Sequence, residues 1–281
     1  MTFGMQPVKR EARPSKPGRG RRGGRNGNRG AKQVVTEALR GRGSAHEAVA
    51  EAIGRRIVQG EFPPGSVLPA EAQWSSRYQV SRSVVREAMK MLSAKGLLTS
   101  RPKVGSRVKD RRRWNLLDHD ILAWYAEAPG RREFLGTLQE FRKIFEPEAA
   151  ALAASRRSEK QMRAISEACA EMGQARTLPE RSAADVRFHL GILEASGNEM
   201  LLPLGALIES ALENLFMIIT RQADDLRHAQ ALHEDIERGI RLGRPLAARR
   251  AVRRLLADSD TMLHRIDQRG AAGTDPASGS G

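Results

Sequence analysis

The sequence contains a single cysteine, few aromatic residues and no long hydrophobic run. Because Cys169 has no second cysteine to pair with, a disulfide within the chain is excluded and a reducing compartment is favoured. There is no stretch of about 18 apolar residues that would predict a membrane span, and the charged N-terminus lacks the apolar core of a secretory signal. We therefore expect a cytoplasmic protein with no membrane partner.

The signatures of common hydrolases and nucleotide-binding enzymes are also missing. The chain has no His-Glu-x-x-His pair, no Gly-x-Ser-x-Gly elbow and no glycine loop between a strand and a helix. Its densest glycines alternate with arginines near the N-terminus instead. These absences predict that the protein is not an enzyme.

Positive charge is abundant and unevenly distributed. The chain has 48 Lys and Arg against 33 Asp and Glu, and 12 of those basic residues fall in residues 1–43. That Arg- and Gly-rich segment cannot bury enough apolar surface to offset its ordering entropy, so we predict a disordered tail over residues 1–43. The tail is either simply solvated or contacts phosphates without sequence preference. We predict a second disordered tail over residues 270–281.

Residues 44–110 have the pattern of a winged helix-turn-helix domain. Ser44 and Glu47 have the spacing of a capping box that begins a first helix. Residues 68–96 then read as a short helix, a tight connection and a second helix with one apolar stripe. Two short strand-like runs flank residues 102–105, which predicts a hairpin, or wing, with a basic tip.

The second helix of this motif presents a cationic face. Arg82, Arg86 and Lys90 recur at i, i+4 and i+8 and so project from one surface. Because arginine can bond guanine O6 and N7 together in the major groove, Arg82 and Arg86 are candidates for base contact. The other predicted DNA-binding residues are Ser81 and Ser83 at the helix N-terminus and Arg101, Lys103 and Arg107 of the wing. The alternative is an ordinary solvated helix face.

After a linker at residues 111–120, the chain is helical in pattern. Residues 121–269 show no strand alternation, and breaks at Pro, Gly and Ser clusters leave room for six or seven helices. We expect an all-α bundle here, which makes the whole chain mainly α.

The first half resembles the GntR family of transcription regulators. The resemblance rests on residues 57–71 (IVQGEFPPGSVLPAE), 80–88 (VSRSVVREA) and 95–98 (KGLL). The helical half resembles the FadR-type ligand-binding FCD domain, through residues 140–142 (EFR), Glu146, 185–190 (DVRFHL), 196–198 (SGN) and His233. Residues 113–124 (RWNLLDHDILAW) are similar to the linker of regulators of galactonate and related sugar-acid operons.

One cluster could bind a divalent metal, Zn²⁺ or similar. Asp185 and His189 lie at i and i+4, so both side chains point from one helical turn toward the same place. The resemblance adds His233 to the same pocket. At Leu255, metal-binding relatives have a further histidine, and Asp258 is a possible substitute one turn later. The open alternatives are a three-ligand metal site, a metal-free polar pocket and a surface pair.

The same pocket is the predicted effector site. Arg142 is suited to a small carboxylate, because a guanidinium holds a carboxylate through two hydrogen bonds. Asn198 could bond effector hydroxyls, beside Asp185, His189 and His233. The alternative for Arg142 is an ion pair with Glu146 on its own helix.

Together these features predict a homodimeric repressor that binds a pseudo-palindromic operator in double-stranded DNA and responds to a sugar acid or similar effector. A metal-dependent hydrolase using Asp185, His189 and His233, and an architectural nucleic-acid binder, are the alternatives. Relatives often carry a basic residue where this chain has Ala72, so its operator need not match theirs.

Overall fold

The computed structural model describes residues 44–101, 105–219 and 223–272. Both predicted tails lie mostly outside these ranges, although the last helix extends to Ala272. The N-terminal unit consists of α1 (Ala45–Val58), α2 (Glu71–Tyr78), α3 (Arg82–Ala94), β1 (Leu98–Arg101) and β2 (Gly105–Val108). The predicted winged helix-turn-helix is therefore confirmed.

Local signals fix the ends of the first three helices. The Glu47 carboxylate accepts a hydrogen bond from the Ser44 backbone N–H, as the capping-box spacing predicts. Gln79 adopts a left-handed conformation (φ 57°) in the tight connection between α2 and α3. Gly96 ends the motif at φ 81°, and a Cβ there would lie 2.3 Å from the Arg113 carbonyl oxygen, so only glycine fits.

The wing is an antiparallel hairpin. Leu98 pairs with Val108 and Arg101 with Gly105, while an isolated bridge joins Val67 to Arg107. Leu98 and Val108 are buried against the helices, and this holds the hairpin beside α3.

The second half is an all-α bundle, as expected. Its helices are α4 (His119–Ala126), α5 (Arg131–Arg156), α6 (Glu159–Gln174), α7 (Leu178–Ala195), α8 (Gly205–Ile219), α9 (Ala223–Arg241) and α10 (Pro245–Ala272). Short 3-10 helices lie at Arg111–Arg113 and Glu199–Leu204. Within the described ranges no helix is long and apolar enough to cross a membrane.

The bundle core is formed mainly by α5, α6, α7, α9 and α10. Small residues such as Ala149, Ala150 and Ala153 on α5 are buried there, which lets the neighbouring helices approach closely. Phe188 of α7 and Ile236 of α9 are fully buried in the same cluster. This packing places the polar faces of α5, α7 and α9 around a common interior point.

Helix α4 connects the two units. Ile121, Trp124 and Tyr125 pack into the core of the N-terminal unit, whereas Leu122 packs against α5 and α8. The proposed start of the effector domain at residue 121 thus falls inside a helix whose side chains contact both units.

Candidate nucleic-acid interface and candidate metal centre

The cationic face of α3 borders a cleft between that helix and the hairpin. The cleft has a volume of about 960 Å³. Its lining includes Arg82, Arg86, Lys90, Thr99, Lys109 and Ala72. Because α3 and the wing both line this cleft, a duplex whose major groove receives α3 would meet the hairpin alongside.

Two of the three basic side chains on α3 already have carboxylate partners. Arg86 pairs with Glu71 of α2 at 3.1 Å, and Lys90 pairs with Glu87 at 2.9 Å. Arg82 makes no ion pair within the described part of the chain and is exposed. Arg82 can therefore contact a base or phosphate without breaking an ion pair. Arg86 can contact DNA either after leaving Glu71 or while Glu71 holds its guanidinium in position.

Ser81 caps the N-terminus of α3, and Ser83 lies beside it in the first turn. The Ser81 hydroxyl oxygen accepts from the Val84 backbone N–H at 3.3 Å and lies 2.7 Å from the Ser83 hydroxyl. Both side chains are exposed beside the positive end of the helix dipole. This position suits the predicted phosphate contact.

The wing residues are only partly described. The Arg107 guanidinium donates to the Gly65 carbonyl and ties the hairpin to the loop before α2. Lys103 and the side chain of Arg101 lie outside the described residues. Ala72 is exposed in the cleft, where it offers no charge to a phosphate.

Asp185, His189 and His233 meet inside the bundle. One ligand atom from each lies within 4.8 Å of the others. The Asp185 Oδ1 is 3.3 Å from His189 Nε2 and 3.1 Å from His233 Nε2. All three side chains are buried, so the alternative of a surface pair for Asp185 and His189 is wrong.

The three inward atoms have no hydrogen-bond partner among the residues that the structure describes. Asp185 Oδ1, His189 Nε2 and His233 Nε2 are buried and not aligned for hydrogen bonds, despite their short separations. The outer nitrogens do have acceptors: His189 Nδ1 is 3.2 Å from Glu146 Oε2, and His233 Nδ1 is 2.7 Å from the Ala229 carbonyl oxygen. With a proton on each Nδ1 facing an acceptor, Nε2 is the ring atom of both histidines that faces the interior, the position from which metal-binding histidines coordinate.

A second layer of polar residues on α5 holds Glu146 in place. Arg142 Nε donates to Glu146 Oε1 at 2.5 Å, and Arg142 Nη1 donates to Gln139 Oε1 at 3.2 Å. The Gln139 side-chain amide donates in turn to the Leu256 carbonyl at 3.3 Å. All three side chains are buried, so a continuous network links α10 to His189.

The network shifts the pKa values of its members. Burial raises the pKa of Glu146, but the Arg142 guanidinium and His189 outweigh it and hold the value at about 2. Burial lowers the pKa of His189, but the Glu146 and Asp185 carboxylates raise it to about 9. Burial likewise raises the pKa of Asp185, yet His233 and His189 keep it below its ordinary value. Both carboxylates are therefore charged at neutral pH.

The other predicted pocket residues are placed differently. Arg142 forms the ion pair with Glu146 that the sequence left open as an alternative. Asn198 is exposed and caps the 3-10 helix by accepting from the Met200 N–H at 3.1 Å. Asp258 lies outside the cluster and is 3.3 Å from His228, so it does not substitute for a ligand at the buried Leu255.

Sequence reasoning assigned no role to Gln139 or to Arg181. Arg181 lies one turn before Asp185 and donates to the carbonyls of Met172 and Leu226 at 2.9 and 3.2 Å. Burial lowers the pKa of Arg181, and Asp185 opposes that shift. Its i and i+4 spacing to Asp185 was the only local signal for this second arginine.

Two family models match the chain over ranges that agree with the two structural units. Residues 45–108 match the gntR family of bacterial regulatory proteins. Residues 137–258 match the FCD domain, and this range contains the whole Asp185, His189 and His233 cluster.

The chain is similar to bacterial transcription regulators over most of their length. The chain is 33% identical to the uncharacterised HTH-type transcriptional regulator YieP of Escherichia coli over 61% of this chain and 76% of that protein. It is 31% identical to the galactonate operon transcriptional repressor of Escherichia coli over 76% of this chain and 94% of that protein.

A solved structure shares the fold. A Listeria monocytogenes protein, described as Lar controlling expression of the agr system, superposes with a TM-score of 0.58 at 20% identity. The match covers 79% of this chain and 98% of that chain. At this identity the likeness concerns the fold alone.

Proposed function

The chain belongs to the GntR family of transcription regulators and carries an FCD effector domain, and we propose that it is a homodimeric, metal-loaded repressor released from its operator by a small carboxylate. DNA binding by the N-terminal unit and ligand binding by the FCD domain follow from the family. The metal, the acidic effector, the dimer and the direction of regulation are the proposal.

The observation that carries the proposal is the set of three inward ligand atoms without partners. A buried polar atom without a hydrogen bond costs about 1–3 kcal/mol, and here three such atoms converge on one point. A divalent cation would satisfy all three at once. Two imidazole nitrogens and one carboxylate oxygen suit Zn²⁺ or a similar transition metal.

Charge also favours a cation together with an anionic effector. The buried Arg142 and Arg181 offset the buried Glu146 and Asp185, and a metal would displace the extra proton of His189. A bound divalent cation then leaves the pocket positive, which suits a ligand with a carboxylate. When bound, the metal would supply an electrophilic centre for that carboxylate.

The protein residues would have distinct roles in this pocket. Asp185, His189 and His233 would hold the metal, and Glu146 would orient His189 while Arg142 fixes Glu146. Arg142 then acts on the effector mainly through this network. Asn198, which is exposed and caps the 3-10 helix, is not among these pocket residues.

The effector class is proposed from the relatives. One of them is named a galactonate operon transcriptional repressor, so galactonate and other sugar acids are the first ligands to test. As a homodimer, two α3 helices would read the two half-sites of a pseudo-palindromic operator in the cytoplasm. Effector binding would favour a spacing of the two DNA-binding units that no longer matches those half-sites.

The test measures DNA affinity of the full chain by fluorescence anisotropy, using duplexes from its own upstream region. Sugar acids should weaken binding by about 5–150-fold, the range that corresponds to 1–3 kcal/mol of coupling. Chelator treatment or His233→Gln should remove the response without removing DNA binding. His228→Gln, an exposed histidine on the same helix, should leave the response unchanged.

Three outcomes would contradict the proposal. An unchanged sugar-acid response in His233→Gln would separate the effector from the buried cluster. Chelator-insensitive binding of the effector would remove the metal. Turnover of the sugar acid by the metal-loaded protein would support an enzyme instead.

A further inference from the structure

A second concave site lies at the corner between α9 and α10. It is a cleft of about 250 Å³. The lining contains four arginines and one acidic residue, namely Arg238, Arg244, Arg250, Arg254 and Asp235. Its net charge of +3 is unusual for a site so small, because like charges held close together repel one another.

The arginines of this cleft differ in their partners. Arg254 and Arg238 both pair with Asp235, at 2.8 and 3.3 Å, so one carboxylate holds two guanidinium groups in position. Arg244 and Arg250 have no ion pair within the described ranges, and Arg250 Nε donates only to the Leu246 carbonyl of its own helix. At least two exposed guanidinium groups therefore have free donors that face the same opening.

The backbone adds to the positive potential. Arg244 directly precedes α10, a helix of 28 residues, so the positive end of that helix dipole lies at the cleft. The floor consists of Gly239, Ala247 and Ala251. A Cβ at Gly239 would lie 2.8 Å from the Ala248 backbone nitrogen, so α9 and α10 are in direct contact at this position.

This cleft is far from the DNA-binding surface. Helix α5 has 26 residues and spans about 39 Å. Its first turn lies near Tyr125, which stacks on Phe134, while Arg157 beyond its last turn donates to the carbonyls of Ile240 and Arg241. The α9–α10 corner is therefore at the opposite end of the bundle from the winged unit. A duplex seated on α3 would not reach it.

We propose that the cleft binds a small ligand with at least two phosphate groups, such as a diphosphate, free or carried by a nucleotide. Four guanidinium groups can each give charge-assisted hydrogen bonds to phosphate oxygens, and planar guanidinium groups suit that geometry. A single phosphate would neutralise only part of the +3 lining. The site is separate from the buried histidine cluster and does not depend on the proposed metal.

Titration calorimetry of the full chain with inorganic pyrophosphate, at constant ionic strength, tests this inference. We expect saturable binding that weakens at least about tenfold in Arg244→Gln/Arg250→Gln, since two charge-assisted interactions are lost. The matched control is Arg253→Gln, an exposed arginine of α10 outside the cleft that pairs with Glu148. Its affinity should stay within about twofold. Both variants change exposed side chains, and their melting temperatures should match the original protein.

Additional titrations distinguish a nucleotide-borne diphosphate from the free anion and test the competing explanations. Adenosine diphosphate that competes with pyrophosphate would indicate a nucleotide-borne diphosphate, and failure to compete would indicate the free anion. Pyrophosphate binding that is equal in the double variant would place it on the basic tail or the α3 cleft and overturn the proposal. The original protein could also fail to bind pyrophosphate while the double variant loses non-specific duplex binding. That result would overturn the proposal and show that the cleft contacts the DNA backbone.

Discussion

The indole ring of Trp124 lies directly against Gly54. A Cβ at Gly54 would be 2.2 Å from two ring atoms of Trp124, so α1 and α4 touch at a position that only glycine allows. Trp124 is buried in the core of the DNA-binding unit, while its neighbour Leu122 packs against Leu207 and Ala211 of α8. The winged unit and the effector domain are thus joined by one short helix that is packed on both sides.

Gly54→Ala should disturb this junction. The added methyl group must displace the Trp124 ring, and overpacking of this kind costs about 1–3 kcal/mol. We expect a lower melting temperature and a weaker effect of the effector on DNA affinity. Gly136→Ala is the control, because nothing lies within 4 Å of a Cβ there. That exposed helical change should raise stability by up to about 1 kcal/mol. Equal melting temperatures for the two variants would contradict this prediction, because they would mean that α4 moves to accommodate the added methyl group without loss of stability.

Glu146→Gln should weaken both the fold and the metal site. It removes the carboxylate that faces His189 Nδ1 and leaves the buried Arg142 without its counter-ion. Breaking such a pair costs about 3–5 kcal/mol, and loss of an outer partner of a metal ligand lowers metal affinity by about 10–100-fold. Chelator competition and thermal unfolding measure the two effects.

Glu148→Gln provides the comparison for that variant. Glu148 lies two residues further along α5, is exposed, and pairs with Arg249 and Arg253. Its loss should change stability by less than about 1 kcal/mol and leave metal affinity unchanged. Equal metal affinity in Glu146→Gln and Glu148→Gln would mean that the Arg142 network does not tune the cluster.

Much of the fold could be predicted because its signals are local. The capping residues Ser44 and Thr177 and the break at Gly243 set helix ends through contacts within a few residues. The docking of α4 could not be predicted in this way. The Trp124–Gly54 contact joins residues that are far apart in sequence, and no local spacing indicates that Gly54 must lack a side chain because of a distant ring.

The same distinction holds for the buried cluster. Asp185 and His189 are one helical turn apart, so their spacing alone indicated a shared site. His233 comes from a different helix and was identified only through the family resemblance. Arg142 could pair with Glu146 or with an effector, and the spacing fits both. The choice depends on Gln139 and Leu256, whose positions are set by the packing of α5 against α10.

Cys169 should be unreactive in the native protein. It is buried on α6, and burial raises the pKa of its thiol to about 11. At pH 8 the thiolate fraction is then about a hundredfold lower than for a thiol with the ordinary value of 9. Alkylation by iodoacetamide should be slow in buffer and fast in denaturant, so this one thiol reports unfolding. Rapid alkylation under native conditions would show that α6 opens locally.

Arg82→Ala/Arg86→Ala should remove operator-specific binding and leave the fold intact. Both side chains are exposed on α3, and each arginine that bonds a guanine contributes about 1–3 kcal/mol of discrimination. Anisotropy titrations with operator and scrambled duplexes, at one salt concentration, should show the preference for operator lost while the melting temperature is unchanged. Arg163→Ala, which removes an exposed arginine of α6 in the effector domain, should keep that preference. Unchanged operator affinity in the double variant would exclude Arg82 and Arg86 from base contact and direct attention to the wing.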